Sequence, residues 1–393
     1  MLNNCRVVIT GLGVISSIGI GWQEFWENLL KGKSGISPVI SFDTTNHFTH
    51  NGGEVKNFKP EEFIPKNKID TLSRASQIAL AAAKLAMKDS RLSKDVIPDL
   101  KIGTCIGTTT GSIQVIEHIN DRMINNLEID NDLISQLPPY TTPATVAKDS
   151  SIHGPNMMLS TACAAGNYAI GYGCDLIRFD SADIILAGAS DPFSRISFTG
   201  FNQFSAVSPE KCQPFDKNRK GMMVAEGAGI LVLESLESAL KRNASIYAEI
   251  LGYGLSCDAQ HMTQPSVEGV SMCMIKALKE SGVGIEDVDY ISAHGTGTQA
   301  NDKTECAAIK EVFGSRYNKI PISSIKSMLG HTMGAASALE AIACVLAVKN
   351  DIIPPTINFE MPDPECDIDC VPNEARKHIV NIALNNSYAF GGN

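Results

Sequence analysis

The sequence predicts an α/β fold, on three observations. Short β-branched runs alternate with alanine-rich helical stretches along the whole length, the pattern of buried parallel strands rather than of a sandwich. With 393 residues, 44% of them hydrophobic and 19% charged, the chain can bury a large core and is too apolar for disorder. No Pro/Ser-rich linker and no long single-sign charge run interrupts it, so its parts pack together rather than hang on a tether.

In chain order, Val7 to Thr10 reads as a strand and Gly11 to Gly19 as a glycine-rich turn after it. Leu72 to Met87 reads as a helix, then Ile102 to Ile106 as a strand, with a second glycine-rich turn spanning Gly103 to Gly111. Neither turn has dinucleotide-binding spacing. A short apolar strand from Asn156 stops at Cys163 and gives way to a helix over Asn167 to Arg178. Ile184 to Ala187, Ile230 to Leu233, Ile246 to Leu251 and Tyr290 to Ala293 read as strands, and Val270 to Ser281 as a helix. The apolar helix from Thr332 to Val348 carries Glu340 in its middle and falls short of about 20 clean residues, so it is expected in the core and not in a membrane. A boundary is expected near Ser245, dividing the chain into halves 1–245 and 246–393.

Charge and cysteine content narrow the partners. Against 43 Asp+Glu stand 33 Lys+Arg, a net charge of -10 that argues against a nucleic-acid phosphate backbone. Eleven cysteines, an odd and scattered number in a chain this size, read as reduced thiols in the cytoplasm. Val7 to Ile15 lacks a basic leader and a cleavage site, so no signal peptide is expected. No Cys-x-x-Cys or His-x-x-x-His occurs and Cys366 with Cys370 is an isolated pair, so no metal site is expected.

Three segments carry candidate chemistry. Cys163 stands where a strand gives way to a helix, and unpaired N–H groups there favour a thiolate. A candidate nucleophile and a small buried hydrophobe both fit that position. Gly166, Gly171 and Gly173 in the following helix point to close backbone packing. His294 ends a strand ahead of the hydroxyl-rich turn with Thr296 and Thr298, at the carboxyl edge where α/β sheets bind ligands; a structural histidine remains the alternative. His331 precedes the apolar helix, whose N-terminal dipole favours a neutral imidazole. Lys326 and Glu340 flank it, and two charges in so apolar a stretch have to pair.

In this order the segments resemble the β-ketoacyl-acyl carrier protein synthases, elongating condensing enzymes of the thiolase superfamily. The likeness runs from Val8-Ile-Thr-Gly-Leu-Gly-Val14 through Thr161-Ala-Cys163 and Arg219 to Gly229. It continues through His294-Gly-Thr-Gly-Thr298 and Ser324-Ile-Lys326-Ser-Met-Leu-Gly-His331 to Phe390-Gly-Gly392. The resemblance implies a thiolase-like, five-layered α-β-α-β-α fold of two similar halves, usually dimeric. By the same resemblance Cys163 accepts the acyl chain, while His294 and His331 promote decarboxylation of a malonyl-thioester and hold the enolate. Lys326 matches the lysine near the histidines and Glu340 the carboxylate that orients it. Thr296 and Thr298 match contacts to the phosphopantetheine arm, and Phe201 is grouped with them as substrate-binding. Phe390 matches the gating aromatic whose N–H joins that of Cys163 in the oxyanion hole. No resident cofactor is implied, because substrates arrive on the phosphopantetheine of an acyl carrier protein. Lys66, Lys68 and Arg74 fall in a segment similar to the carrier-docking region, and an ordinary solvated surface fits them equally well.

Asn301-Asp302, Ser323-Ser324 and Ala164-Ala-Gly-Asn-Tyr168 depart from housekeeping fatty-acid enzymes toward the ketosynthase subunits of type II polyketide systems. Such subunits pair with a chain-length-factor homologue whose nucleophile is replaced; Cys163 marks this chain as the catalytic one. The chain stops at Asn393, where relatives continue into another strand, and a trimmed or disordered tail is expected. Two rival readings stay open: a non-catalytic assembly subunit, and a Cys-His hydrolase, which needs an orienting Asn or Asp and a path for water.

Overall fold

The computed structural model describes residues 5–92 and 100–393. The larger sheet contains β1 (Val7–Ser16), β2 (Ile102–Gly107), β3 (Asn156–Leu159), β4 (Ile184–Asp191) and β5 (Gly227–Ser235), in the spatial order β1-β5-β4-β2-β3. Gly19–Ile20 and β6 (Ala248–Ile250) both add to β1. The smaller sheet is β7 (Tyr290–Ser292) between β8 (Ile322–Ser323) and β9 (Ala383–Asn385), all parallel.

Helices complete the layers. The helix α1 (Arg74–Asp89) covers the outer face of the larger sheet against β1 and β5. Between the sheets lie α2 (Ala165–Arg178) and, further along the chain, α5 (Ala335–Asn350), which packs on β5 and on β9. A further pair, α3 (Val267–Ser281) and α4 (Gln299–Phe313), pack together and share a core with β7 and β8. The stack is therefore α-β-α-β-α, five layers, as the sequence led one to expect.

The expected buried parallel strands are present, but the larger sheet is mixed. β5 runs antiparallel to both β1 and β4, while β2 is parallel to β3 and β4. A continuous apolar run records burial on both faces, which helices on either side impose whatever the strand direction.

The turn expected over Gly11 to Gly19 is also corrected, because Gly11 and Gly13 lie inside β1. A Cβ on Gly13 would sit 1.9 Å from the Ala82 carbonyl oxygen, and one on Gly11 2.4 Å from that of Ala86. These glycines let the alanine face of α1 close on the strand. Gly103 likewise lies in β2, and the second turn begins only at Thr108.

At the centre, α2 meets α5 backbone to side chain: a Cβ on Gly166 would lie 2.6 Å from Ser337 Oγ. An apolar cavity of about 420 Å³ opens on the far side of α2, between Leu251–Ser256 and β9, walled by Tyr168, Tyr253, Leu278 and Val345. Among the described residues β3 pairs with β2 alone, and no further strand of them lies along its outer edge. No helix among the described residues is long and apolar enough to cross a membrane.

Candidate active site

After β3 the chain makes one short turn, Ala162–Ala164, and enters α2. Ala162 holds φ at 47°, a left-handed conformation costly to a residue with a Cβ and sustained only by surrounding structure. Cys163 is 8% exposed. Its thiol is pushed up to about 12, first by burial and then by the Asp191 and Glu340 carboxylates, with Lys326 opposing. The expected thiolate is corrected to a resting thiol. Two N–H groups of the first helical turn are already engaged, Gly166 with the Gly334 carbonyl at 3.2 Å and Asn167 with Ser337 Oγ at 3.1 Å.

His294 follows β7 directly. Its N–H and that of Gly295 donate to the two oxygens of Glu305, at 2.9 and 2.8 Å. His331 is clamped through its backbone, its N–H donating to the Met223 carbonyl at 2.6 Å and its carbonyl accepting from Ala225 at 3.0 Å. The two imidazoles meet edge to face with centroids 5.4 Å apart, and the Tyr388 ring stands 5.7 Å from His294. Both rings are buried, and the Nδ1 of each has no protein partner. Burial, reinforced by Lys326, holds both well below the ordinary histidine range, so both are neutral.

Lys326 and Glu340 form a buried ion pair, as their setting required. Burial lifts the Glu340 carboxyl to about 7 against the pull of the lysine. The ring contact joins the His294 segment to the His331 segment, and the Gly166 N–H, donating to the Gly334 carbonyl, joins the latter to the Cys163 segment. Ser387 Oγ donates to the Cys163 carbonyl at 3.1 Å, and the Gly334 N–H donates to Asp191. Distributed over strand ends and helix starts, these groups are a buried thiol, two buried imidazoles in edge-to-face contact and one buried ion pair, with Lys326 acting on the thiol and on both rings.

The Beta-ketoacyl synthase N-terminal domain family model matches residues 4–239, and the corresponding C-terminal domain model matches residues 247–360. The chain belongs to the β-ketoacyl synthase family. It is 40% identical over 408 residues to the 3-oxoacyl-[acyl-carrier-protein] synthase 2 of Synechocystis sp., spanning 100% of this chain and 97% of that protein. Nodulation protein E of Rhizobium sp. is 39% identical over 390 residues, 98% of this chain and 97% of its own. Among solved structures, the ishigamide ketosynthase/chain length factor is 45% identical with a TM-score of 0.96, covering 99% of this chain and 97% of that one. A type II polyketide ketosynthase bound to the hexaketide, in complex with its acyl-carrier protein, is 36% identical with a TM-score of 0.89, over 99% and 97%. As a β-ketoacyl synthase the protein is an acyltransferase.

In this synthase Thr298 caps α4 and its hydroxyl lies 2.9 Å from that of Thr296. Asp302 holds the turn through the Gly297 N–H at 3.2 Å, with Arg219 Nε at 3.7 Å behind it. Phe390 is 38% exposed, its ring 6.0 Å from Phe201 and 6.3 Å from Phe204. Lys66 and Lys68 are exposed on the single turn Lys66–Ile69. Arg74 is different and is withdrawn from the docking set: its guanidinium turns inward to Glu226 at 2.8 and 3.1 Å and lies over the Phe58 ring. Sequence reasoning missed Glu305, Asp191 and Tyr388. A carboxylate in the second turn of α4 and another at the end of a buried strand were the available signals. No group of three or more metal-ligating side chains occurs among the described residues.

Proposed function

We propose that this synthase lengthens acyl chains by decarboxylative condensation, with Cys163 as acyl acceptor and His294 and His331 serving the malonyl unit. The observation that carries this reading is the pair of neutral, buried imidazoles 5.4 Å apart, with Lys326 acting both on them and on the buried Cys163 thiol. In the first step the sulfur of Cys163 attacks a carrier-bound acyl thioester. The carrier thiol leaves with the Cys163 proton, so one thioester replaces another and no charge is stranded. In the second step a malonyl-thioester loses CO₂, and its enolate oxygen receives hydrogen bonds from the two imidazoles. The enolate carbon then attacks the acyl-Cys163 carbonyl. Backbone N–H groups of Cys163 and Phe390 serve the tetrahedral oxyanion. Its collapse breaks the carbon–sulfur bond, leaves the β-ketoacyl chain on the carrier and expels the Cys163 thiolate, which takes a proton from water to restore the thiol. Lys326, paired with Glu340, holds the imidazoles neutral by its positive charge.

Substrates ride on the phosphopantetheine of an acyl carrier protein, with Thr296, Thr298 and Phe201 lining its approach and Phe390 closing it. Lys66 and Lys68 are the docking cations for the acidic carrier. We assign the synthase to type II polyketide assembly, with a chain-length-factor homologue pairing along the outer edge of β3. The 45% identity to a ketosynthase/chain length factor favours this over a homodimeric fatty-acid enzyme, which the 40% identity to a synthase 2 keeps as the second reading. The halves divide near Ser245, and eleven free thiols suit a reducing cytoplasm.

The test is intact-mass analysis of the purified synthase with acyl carrier protein and a candidate partner. An acyl adduct on the wild type but not on Cys163→Ala, together with CO₂ release from malonyl-carrier, is expected. Undiminished adduct on the variant, or no decarboxylation by the folded wild type with its partner, overturns the reading.

A further inference from the structure

Asp191 ends β4 with its side chain fully buried. Its carboxylate collects hydrogen bonds from two separate segments. From the turn after β2 come Thr108 Oγ1 at 2.7 Å, the N–H groups of Thr109 at 2.9 Å and Thr110 at 3.0 Å, and Thr110 Oγ1 at 3.2 Å. From the loop after His331 comes the Gly334 N–H at 2.8 Å. The Gly334 carbonyl in turn accepts from Gly166, three residues beyond Cys163. Gly334 is thus gripped from both sides, and the contact is close: a Cβ on it would lie 2.8 Å from Asp191 Oδ2.

The grip has a purpose that local sequence does not supply. Met333, between His331 and Gly334, holds φ at 54°, a conformation of the kind that persists only when neighbours enforce it. A carboxylate is the side chain suited to the knot, because it accepts at both oxygens and donates nowhere, and every group facing it is a donor. We propose that Asp191 is the positioning residue that sets the His331 loop against the Cys163 turn. This rests on the reading that both residues serve one condensation. Asp191 itself touches no reacting atom.

The test compares Asp191→Asn, Asp191→Glu and Thr108→Val in the full chain. Asparagine keeps the shape but turns an NH₂ toward an N–H group, breaking one arm of the knot. For Asp191→Asn, kcat for malonyl decarboxylation should fall by about 10²-fold with KM changed less than about threefold, the loss expected when a positioning contact slips. Thr108→Val, which removes one donor, should lose several-fold, and Asp191→Glu should recover part of the activity. A second readout needs no turnover. Removing the Asp191 charge, which helps to raise the Cys163 thiol, should shift the pH profile of its alkylation to lower pH, opposite in sense to the loss of decarboxylation. An Asp191→Asn enzyme that folds, keeps kcat within twofold and leaves the alkylation profile unmoved overturns the proposal. Failure of wild-type decarboxylation overturns the functional reading instead, while the alkylation profile still reports on Asp191. Should Asp191→Asn not fold, Thr108→Val decides, and unchanged kcat in that variant counts against the knot.

Discussion

The imidazole of His331 meets that of His294 edge to face at 84°, with 5.4 Å between ring centroids and Lys326 the charge common to both surroundings. Two rings so placed cannot both carry charge, and the lysine disfavours even one. Each is therefore a neutral hydrogen-bond donor through its own N–H, which sets the pH behaviour of the site.

Because both histidines sit well below the usual value, decarboxylation should show no imidazole step between about pH 8 and 6.5, where any slope belongs to Glu340 and Glu305 near 7. The loss due to an imidazolium should come only at lower pH. Rates of CO₂ release from malonyl-carrier across that range check this; a midpoint near 6.5 assigned to either ring would contradict it.

Cys163 should alkylate slowly in the resting enzyme. With the thiol near 12, iodoacetamide labelling at pH 7 should be well below that of a free thiol and should climb until at least pH 10. Labelling rates followed by peptide mass against a model thiol give the profile.

The Lys326–Glu340 pair should be asymmetric in its stability effects. Glu340→Leu alone leaves a buried ammonium and should cost about 3–5 kcal/mol in urea unfolding. The double variant Lys326→Met with Glu340→Leu should recover most of that stability yet lose activity, separating fold from function.

Glu305 is buried and its carboxyl is lifted to about 7, while in the unfolded chain it returns to about 4.3. Folding therefore favours its protonated form, and the associated stability is lost as pH rises from about 4.3 through 7. Glu305→Gln, which never ionises, should flatten this slope. Thermal unfolding of both proteins at pH 5.5 and 8 measures the difference, expected at no more than about 3 kcal/mol.

Gly166→Ala should damage the site without touching a catalytic group. Its methyl would lie 2.6 Å from Ser337 Oγ and 2.7 Å from Ala338 N, where α2 and α5 cross. A loss of about 1–3 kcal/mol in chemical denaturation is expected, with a fall in kcat larger than that in Gly171→Ala.

Legibility in the sequence followed how local each cause was. Cys163, His294 and His331 were readable because each ends a strand or precedes a helix in a short, recognisable run. The Lys326–Glu340 pairing was readable from burial alone, since two lone charges in an apolar stretch must meet. Gly11 and Gly13 were misread as a turn because their cause, the carbonyls of Ala82 and Ala86, lies some seventy residues on. Arg74 looked like a surface cation because nothing near it in sequence announces Glu226. Asp191 and Glu305 escaped because they are held largely by backbone N–H groups, which every residue but proline has and no motif advertises.

The edge of β3 left open among the described residues lies on the same short segment as Cys163, with Leu159 only four residues before it. A chain that hydrogen-bonds along that edge stiffens the very backbone on which the sulfur is mounted. Dilution would then do more than separate subunits: it would loosen the reactive turn, and specific activity per molecule would decline with concentration even while each chain stays folded.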